Sequence, residues 1–250
     1  MARRPKTETT EASAEPKPAP SPRDAIIDAT MALAAERSWD DIELTDIAER
    51  AGVSLSGLRD AFPSKGAVLA GFSKRIDKIV LDGTGPELVD ESPKERLFDV
   101  LMRRLDAMAP YKEALRRIAR DVRADPVTLA ALNQLALNSH RYMLAAAGIG
   151  TEGPAGALKL QGLVLMWGRL LDTWFRDDDP GMARTMAQLD KELVRGGRMV
   201  SAVNDLCRLA MPLRTLFETA ADGGRRFRER QRADRSAPSH DDDEEGYAPA

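Results

Sequence analysis

Apolar residues recur every three or four positions along most of this chain, and no stretch keeps a convincing period of two. Ile26, Ile27, Ala29, Met31, Leu33 and Ala34 predict a helix over about 22–37. Gly52 closes a short helix at about 44–51, another follows at about 55–61, and Pro63-Ser64 opens a longer one over 64–81. Ser92-Pro93-Lys94-Glu95 joins a capping box to a proline at the first helical position, so a helix begins there. Asp125-Pro126 and Asp179-Pro180 repeat that punctuation and predict two further starts, while Gly148 to Gly156 reads as a flexible break. Residues 154–175 form an apolar helix bearing Trp167 and Trp174, and Met182, Met186, Leu189 and Leu193 stripe the next one. A last helix, about 198–221, carries Met199, Val203, Leu206, Leu209, Leu213, Leu216 and Phe217, with Pro212 kinking it. The fold class is all-α.

The two ends break the pattern. Residues 1–21 hold no apolar side chain larger than proline after Met1, so they cannot offset their ordering entropy and are expected to be disordered. Residues 225–235 hold six arginines against Glu229 and Asp234, and Asp241 to Glu245 form an acidic block. The segment 222–250 therefore reads as a solvated, disordered tail. Between the tails, residues 22–80 form a small head and 81–221 a helical body.

The composition, 43% hydrophobic and 31% charged, suits an ordinary globular protein, and 5% aromatics favours helix over sheet. A lone cysteine, Cys207, excludes an internal disulfide and reads as inert core in a reducing compartment. The two histidines, His140 and His240, lie too far apart for a His/Cys metal site. No apolar run reaches the roughly 18 residues of a membrane span, and no signal-peptide core follows the charged start, so a cytoplasmic protein is expected. There is no Gly-rich phosphate loop, GxSxG, HExxH or Cys-x-x-Cys, so neither an enzyme nor a bound cofactor is expected.

The informative stretch is 41–66, DIELTDIAERAGVSLSGLRDAFPSKG. Ala48 is small where two helices must approach closely. Gly52 sits four positions on, in a turn where a left-handed backbone is cheap only without a β-carbon. Val53 plugs the angle between the helices, Ser54 caps the second, and Leu58 and Phe62 pack it onto the first. This is a helix-turn-helix, whose second helix fits a major groove.

The run IAERAGVS, the leucine at 58 and FPSK at 62–65 resemble the head of the TetR family over roughly residues 20–80. The resemblance implies a three-helix head, a helical-bundle body with a small apolar inducer or lipid among the helices of residues 64–147, and a homodimer on a double-stranded DNA operator. It places Thr45, Ser54, Ser56, Arg59 and Lys65 at the DNA, with hydroxyl contacts to phosphate from Thr45 and Ser54 and Arg59 as base or phosphate reader. It implies a ligand-responsive transcriptional regulator, a repressor by type. The chain departs from the family pattern at Leu55, where a basic residue is common, and at Arg59, Asp60 and Ala61, where an aromatic pair and a histidine are common. Residues 22–83 carry eight Lys/Arg against eleven Asp/Glu, a net of −3.

A second resemblance covers about thirty residues. TWFRDDDP and TMAQLDKEL are similar to the C-terminal region of the lipid-binding accessory family of ubiquinone biosynthesis, which has the TetR fold without DNA binding. Its implication is the alternative function, a lipid-binding accessory protein. The tryptophans and methionines read first as core, and His140 as a partly buried helix residue. Asp177-Asp178-Asp179 reads as a helix cap facing water.

Overall fold

The computed structural model describes residues 21–85 and 90–198. The expectations for the two tails, for the helix beyond residue 198 and for Cys207 and His240 lie outside the described residues. All regular structure among the described residues is helical. Ser21 caps α1 (Pro22–Glu36) by accepting from the Asp24 N–H, with Pro22 in the first turn where its missing donor costs nothing. Next come α2 (Leu44–Ala51), α3 (Leu55–Ala61) and α4 (Lys65–Asp82). Gly52 ends α2 at φ 65°, and its N–H returns to the last turn of that helix, as the sequence requires of a left-handed cap.

The body holds α5 (Pro93–Met108), α6 (Lys112–Asp121), α7 (Pro126–Ala146) and α8 (Gly153–Trp174), with 3-10 turns at Ala109–Tyr111 and Val122–Ala124. The Ser92–Glu95 capping box forms as read, and Asp125 caps α7 by accepting from the Val127 N–H. A ninth helix, α9, runs from 183 to the last described residue, 198. No described helix is long and apolar enough to cross a membrane.

Packing follows the apolar stripes. α1 lies against α2 and α6, α4 against α5 and α7, and α7 against α8. Ile26, Ile47, Leu58 and Ile76 are sealed in the head, and Leu101, Leu105, Met143, Leu170, Trp174 and Leu189 in the body. They belong to one continuous apolar core. Residues through Val194 form one compact unit and 195–250 a second, whose described residues, 195–198, are helical.

Three readings need correction. Asp179-Pro180 does not begin a helix: Pro180 and Gly181 make a turn, Met182 takes a φ of 52°, and α9 starts at 183 with Asp179 accepting from the Gly181 and Ala183 N–H groups. Asp177 does not face water; it is 2% exposed and accepts from both the hydroxyl and the N–H of Thr185, which satisfies its charge inside. His140 is not partly buried but 1% exposed.

One close approach fixes the head. A β-carbon on Gly71 of α4 would lie 2.7 Å from the buried ring of Phe62, so glycine leaves the notch that ring fills. Gly71→Ala is expected to lower unfolding stability by about 1–3 kcal/mol through overpacking, despite the roughly 1 kcal/mol that alanine gains in a helix. Urea titration reads this as a lower midpoint at unchanged slope.

Candidate nucleic-acid interface

Four of the five residues read as DNA-facing come together with α3 at one shallow groove. Its lining includes Thr45 at the start of α2, Ser56 and Arg59 on α3, and Lys65 at the start of α4. Its apolar part includes Leu44, Leu55 and Phe62, and Asp40 and Glu43 add two carboxylates. Ser54, the fifth residue, caps α3 by accepting from the Gly57 N–H at 3.1 Å, and its hydroxyl lies 2.9 Å from that of Ser56. Leu58 is the buried side of this short helix, while Leu55, Ser56, Arg59 and Asp60 point to solvent.

The hydroxyl of Thr45 is exposed and donates weakly to Glu43, at 3.4 Å. Arg59 is exposed and has no hydrogen bond or ion pair among the described residues. Lys65 is placed differently from the sequence expectation of a free cation. Its ammonium donates to the carbonyls of Trp39 (2.8 Å) and Ile42 (2.7 Å) and lies 5.0 Å from the Trp39 ring centroid. Burial holds Lys65 below the ordinary lysine range, against the raising influence of Asp40, Asp41 and Glu43.

The other cations of the head are mostly committed to the protein itself. Arg37 pairs with Asp46, Arg50 with Glu36, Arg75 with Asp24 and Asp28, and Lys78 with Asp82. Arg23 donates to the carbonyl of Ala61 at 2.6 Å, closing the C-terminus of α3, and its guanidinium lies 4.2 Å from the Phe62 ring centroid. Sequence reasoning missed Arg23 because 38 residues separate it from its acceptor. Nothing local marks such a contact.

A second polar cluster lies where α4, α5, α7 and α8 meet, within the region expected to hold a ligand. Arg104 of α5 ion-pairs with Asp77 of α4, and the Ser139 hydroxyl of α7 donates to the same carboxylate at 2.7 Å. Arg104 and His140 both lie against Trp167 of α8, with the His140 ring meeting it edge-on at 5.2 Å. His140 Nδ1 sits 2.9 Å from the Ala136 carbonyl; Nε2 of His140 and Nε of Arg104 are buried without a hydrogen-bond partner among the described residues. No group of three or more His, Cys, Asp or Glu among the described residues could hold a metal ion.

The comparisons bear on both regions. Residues 26–71, which span α2, α3 and the loops around them, match the family described as bacterial regulatory proteins, tetR family. The head is thus similar to the tetR family of bacterial regulatory proteins over residues 26–71. The TetR-like fold extends into the body. A TetR transcriptional regulator from Nitrosomonas europaea ATCC 19718 superimposes with a TM-score of 0.58 at 24% identity, covering 70% of this chain and 97% of that one. A TetR transcriptional regulator from Rhodococcus sp. RHA1 gives 0.51 at 19% identity, covering 70% and 95%. Among curated proteins the sequence has no match.

The body cluster generates a pH prediction. Burial, with Arg104 nearby, pushes His140 down to about 3, so the native state holds it neutral. Its unfolded form takes up a proton as the pH falls below about 6.5, and the native form does not. The stability it contributes is therefore complete above that pH and declines on acidification towards about 3, by at most about 1.4 kcal/mol per pH unit. Unfolding free energies from urea titrations between about pH 7.5 and 5 are expected to fall in the parent protein, and their slope against pH to be shallower by up to about one proton in His140→Gln.

Proposed function

We propose that the chain is a homodimeric, ligand-responsive transcriptional repressor of the TetR type, working in the cytoplasm. The observation that carries this is the exposed face of α3, which presents Ser56 and an unpaired Arg59 on a helix held at both ends, by the Ser54 cap and by Arg23 on the Ala61 carbonyl. A helix so fixed enters a major groove without further ordering cost. Arg59 is then the base or phosphate reader, Thr45, Ser54 and Ser56 offer hydroxyls to phosphate, and Lys65 braces α4 with one N–H left for a phosphate oxygen. A small apolar inducer or lipid would bind among the helices of residues 64–147, beside the Arg104–Asp77 and His140 cluster. Such control requires that the ligand favour one head arrangement over the other.

A second reading is favoured by the charge around α3. Asp40 and Glu43 line the groove and Asp60 stands exposed beside Arg59, a surface that phosphate would meet with repulsion. On that reading the chain is a lipid-binding accessory protein on the same scaffold, and it leaves DNA alone.

Both readings are tested by selecting genomic fragments with the full-length protein at about 50 and 200 mM salt, beside mass spectrometry of extracted ligand. Enrichment of discrete palindromic sites supports the regulator. Co-purified isoprenoid or acyl lipid with no enriched fragment supports the accessory protein. For a recovered site, Arg59→Ala is expected to cost about 1–3 kcal/mol of affinity, while Asp60→Asn tightens binding. With Arg59 and Lys65 each meeting a phosphate in both protomers, about four phosphates are neutralised and the dimer's log-log salt dependence is expected to have a slope of about −4. An unchanged binding curve for Arg59→Ala removes that residue from the interface.

A further inference from the structure

The loop joining α1 to α2, residues 37–43, is gripped from two sides by opposite charges. Asp121, at the end of α6, accepts from the Ser38 hydroxyl at 3.0 Å and the Trp39 N–H at 2.9 Å. Lys65, at the start of α4, donates to the carbonyls of Trp39 and Ile42. Trp39 therefore gives its N–H to the body and its carbonyl to α4. The loop ends on Glu43, the N-cap residue of α2, whose N–H donates to Asp46 at 2.9 Å in a reciprocal capping box. Where the loop sits decides where α2, and with it Thr45 and one wall of the groove, begins.

The opposite end of α6 is tied to the end of α8. Lys112 donates to the Asp177 carbonyl at 2.6 Å, and Arg116 to the Phe175 carbonyl at 2.7 Å, just past the last turn of α8. Lys112 also lies 5.3 Å from the ring centroid of the buried Trp174. A ten-residue helix is thus polar-clamped at both ends, to α8 at its start and to the head loop at its finish. A rigid helix about 15 Å long, held this way, transmits a displacement of one end to the other.

We propose that Asp121 is the positioning residue by which the body sets the geometry of the α2–α3 face, with α6 as the strut and the 37–43 loop as the joint. Asp121 acts through the loop, contributing hydrogen-bond acceptors to Ser38 and Trp39 of the head. A body ligand that shifts the end of α8 relative to α1 slackens or tightens the grip on Trp39, and the start of α2 moves with it. This rests on reading the α2–α3 face as a DNA interface.

Two readouts on the full-length protein separate the proposal from that reading. The first is amide hydrogen exchange over residues 38–46; the second is affinity for a duplex recovered by the genomic selection. Asp121→Ala is expected to speed exchange of the Trp39 amide about tenfold and to weaken the duplex about 5- to 10-fold. Asp121→Asn keeps a carbonyl acceptor for the Trp39 N–H and is expected to restore most of both. Asp125→Ala removes the α7 cap, lowers stability without touching the loop, and is expected to leave both readouts near the parent values. Lys65→Met added to Asp121→Ala is expected to change exchange by less than the two single effects combined, as for two grips on one loop.

Unchanged exchange in Asp121→Ala, or an equal change in Asp125→Ala, overturns the positioning role. Should the parent protein bind no duplex, the regulatory reading falls, and the exchange data still decide whether Asp121 holds the loop.

Discussion

The placement of α3 hangs on one ring. Phe62, at the C-terminal end of the helix, fills the notch that Gly71 leaves in α4 and lies under the guanidinium of Arg23 from α1. The same guanidinium takes the Ala61 carbonyl, which would otherwise end α3 without a partner. Seven residues cannot sustain a helix in water by propensity alone, so the orientation of Ser56 and Arg59 is borrowed from α1 and α4. Leu58, one turn earlier, is buried in the same apolar core.

Building the head this way consumes positive charge. Arg23, Arg37, Arg50, Lys65, Arg75 and Lys78 are engaged with the protein's own carbonyls and carboxylates. Arg59 remains exposed on the α3 face with no such partner among the described residues. Exposed pairs such as Lys78–Asp82 exchange readily with other partners, because solvent screens them and they hold little free energy. Lys65 differs: two carbonyls and the Trp39 ring surround its ammonium, and releasing it would take a donor from the Ile42 carbonyl and leave the Trp39 carbonyl only the long 3.4 Å bond from the Ile42 N–H. On the regulator reading, the head would depend on shape and hydroxyl contacts more than on neutralising a polyanion.

The body places its own polar investment where four helices meet. An arginine and a carboxylate taken from water at Arg104 and Asp77 cost desolvation that their attraction only partly returns, so this pair is poor evidence of stability and better evidence of fixed register among α4, α5 and α7. Trp167 and His140 close the cluster from α8 and α7. Because α4 carries both Asp77 and the Gly71 notch, the packing of the body and the seat of α3 share one helix.

The chain's own pattern determined the helices and the turn. Gly52 demanded a left-handed cap, Ser54 and the Ser92–Glu95 box marked helix starts within a residue, and the alternation of Ala48, Leu58 and Phe62 specified a helix-turn-helix, since each signal acts within one or two turns of backbone. It failed where the deciding partner was remote or the turn unusual. Asp177 is buried because Thr185 reaches back to it, α9 begins late because Met182 adopts a left-handed backbone, and His140 is sealed by Trp167. Only the tertiary structure decided which cations were free: Lys65 and Arg59 look alike in sequence, but the carbonyls that claim Lys65 come from a loop more than twenty residues away, and periodicity carries no information at that distance.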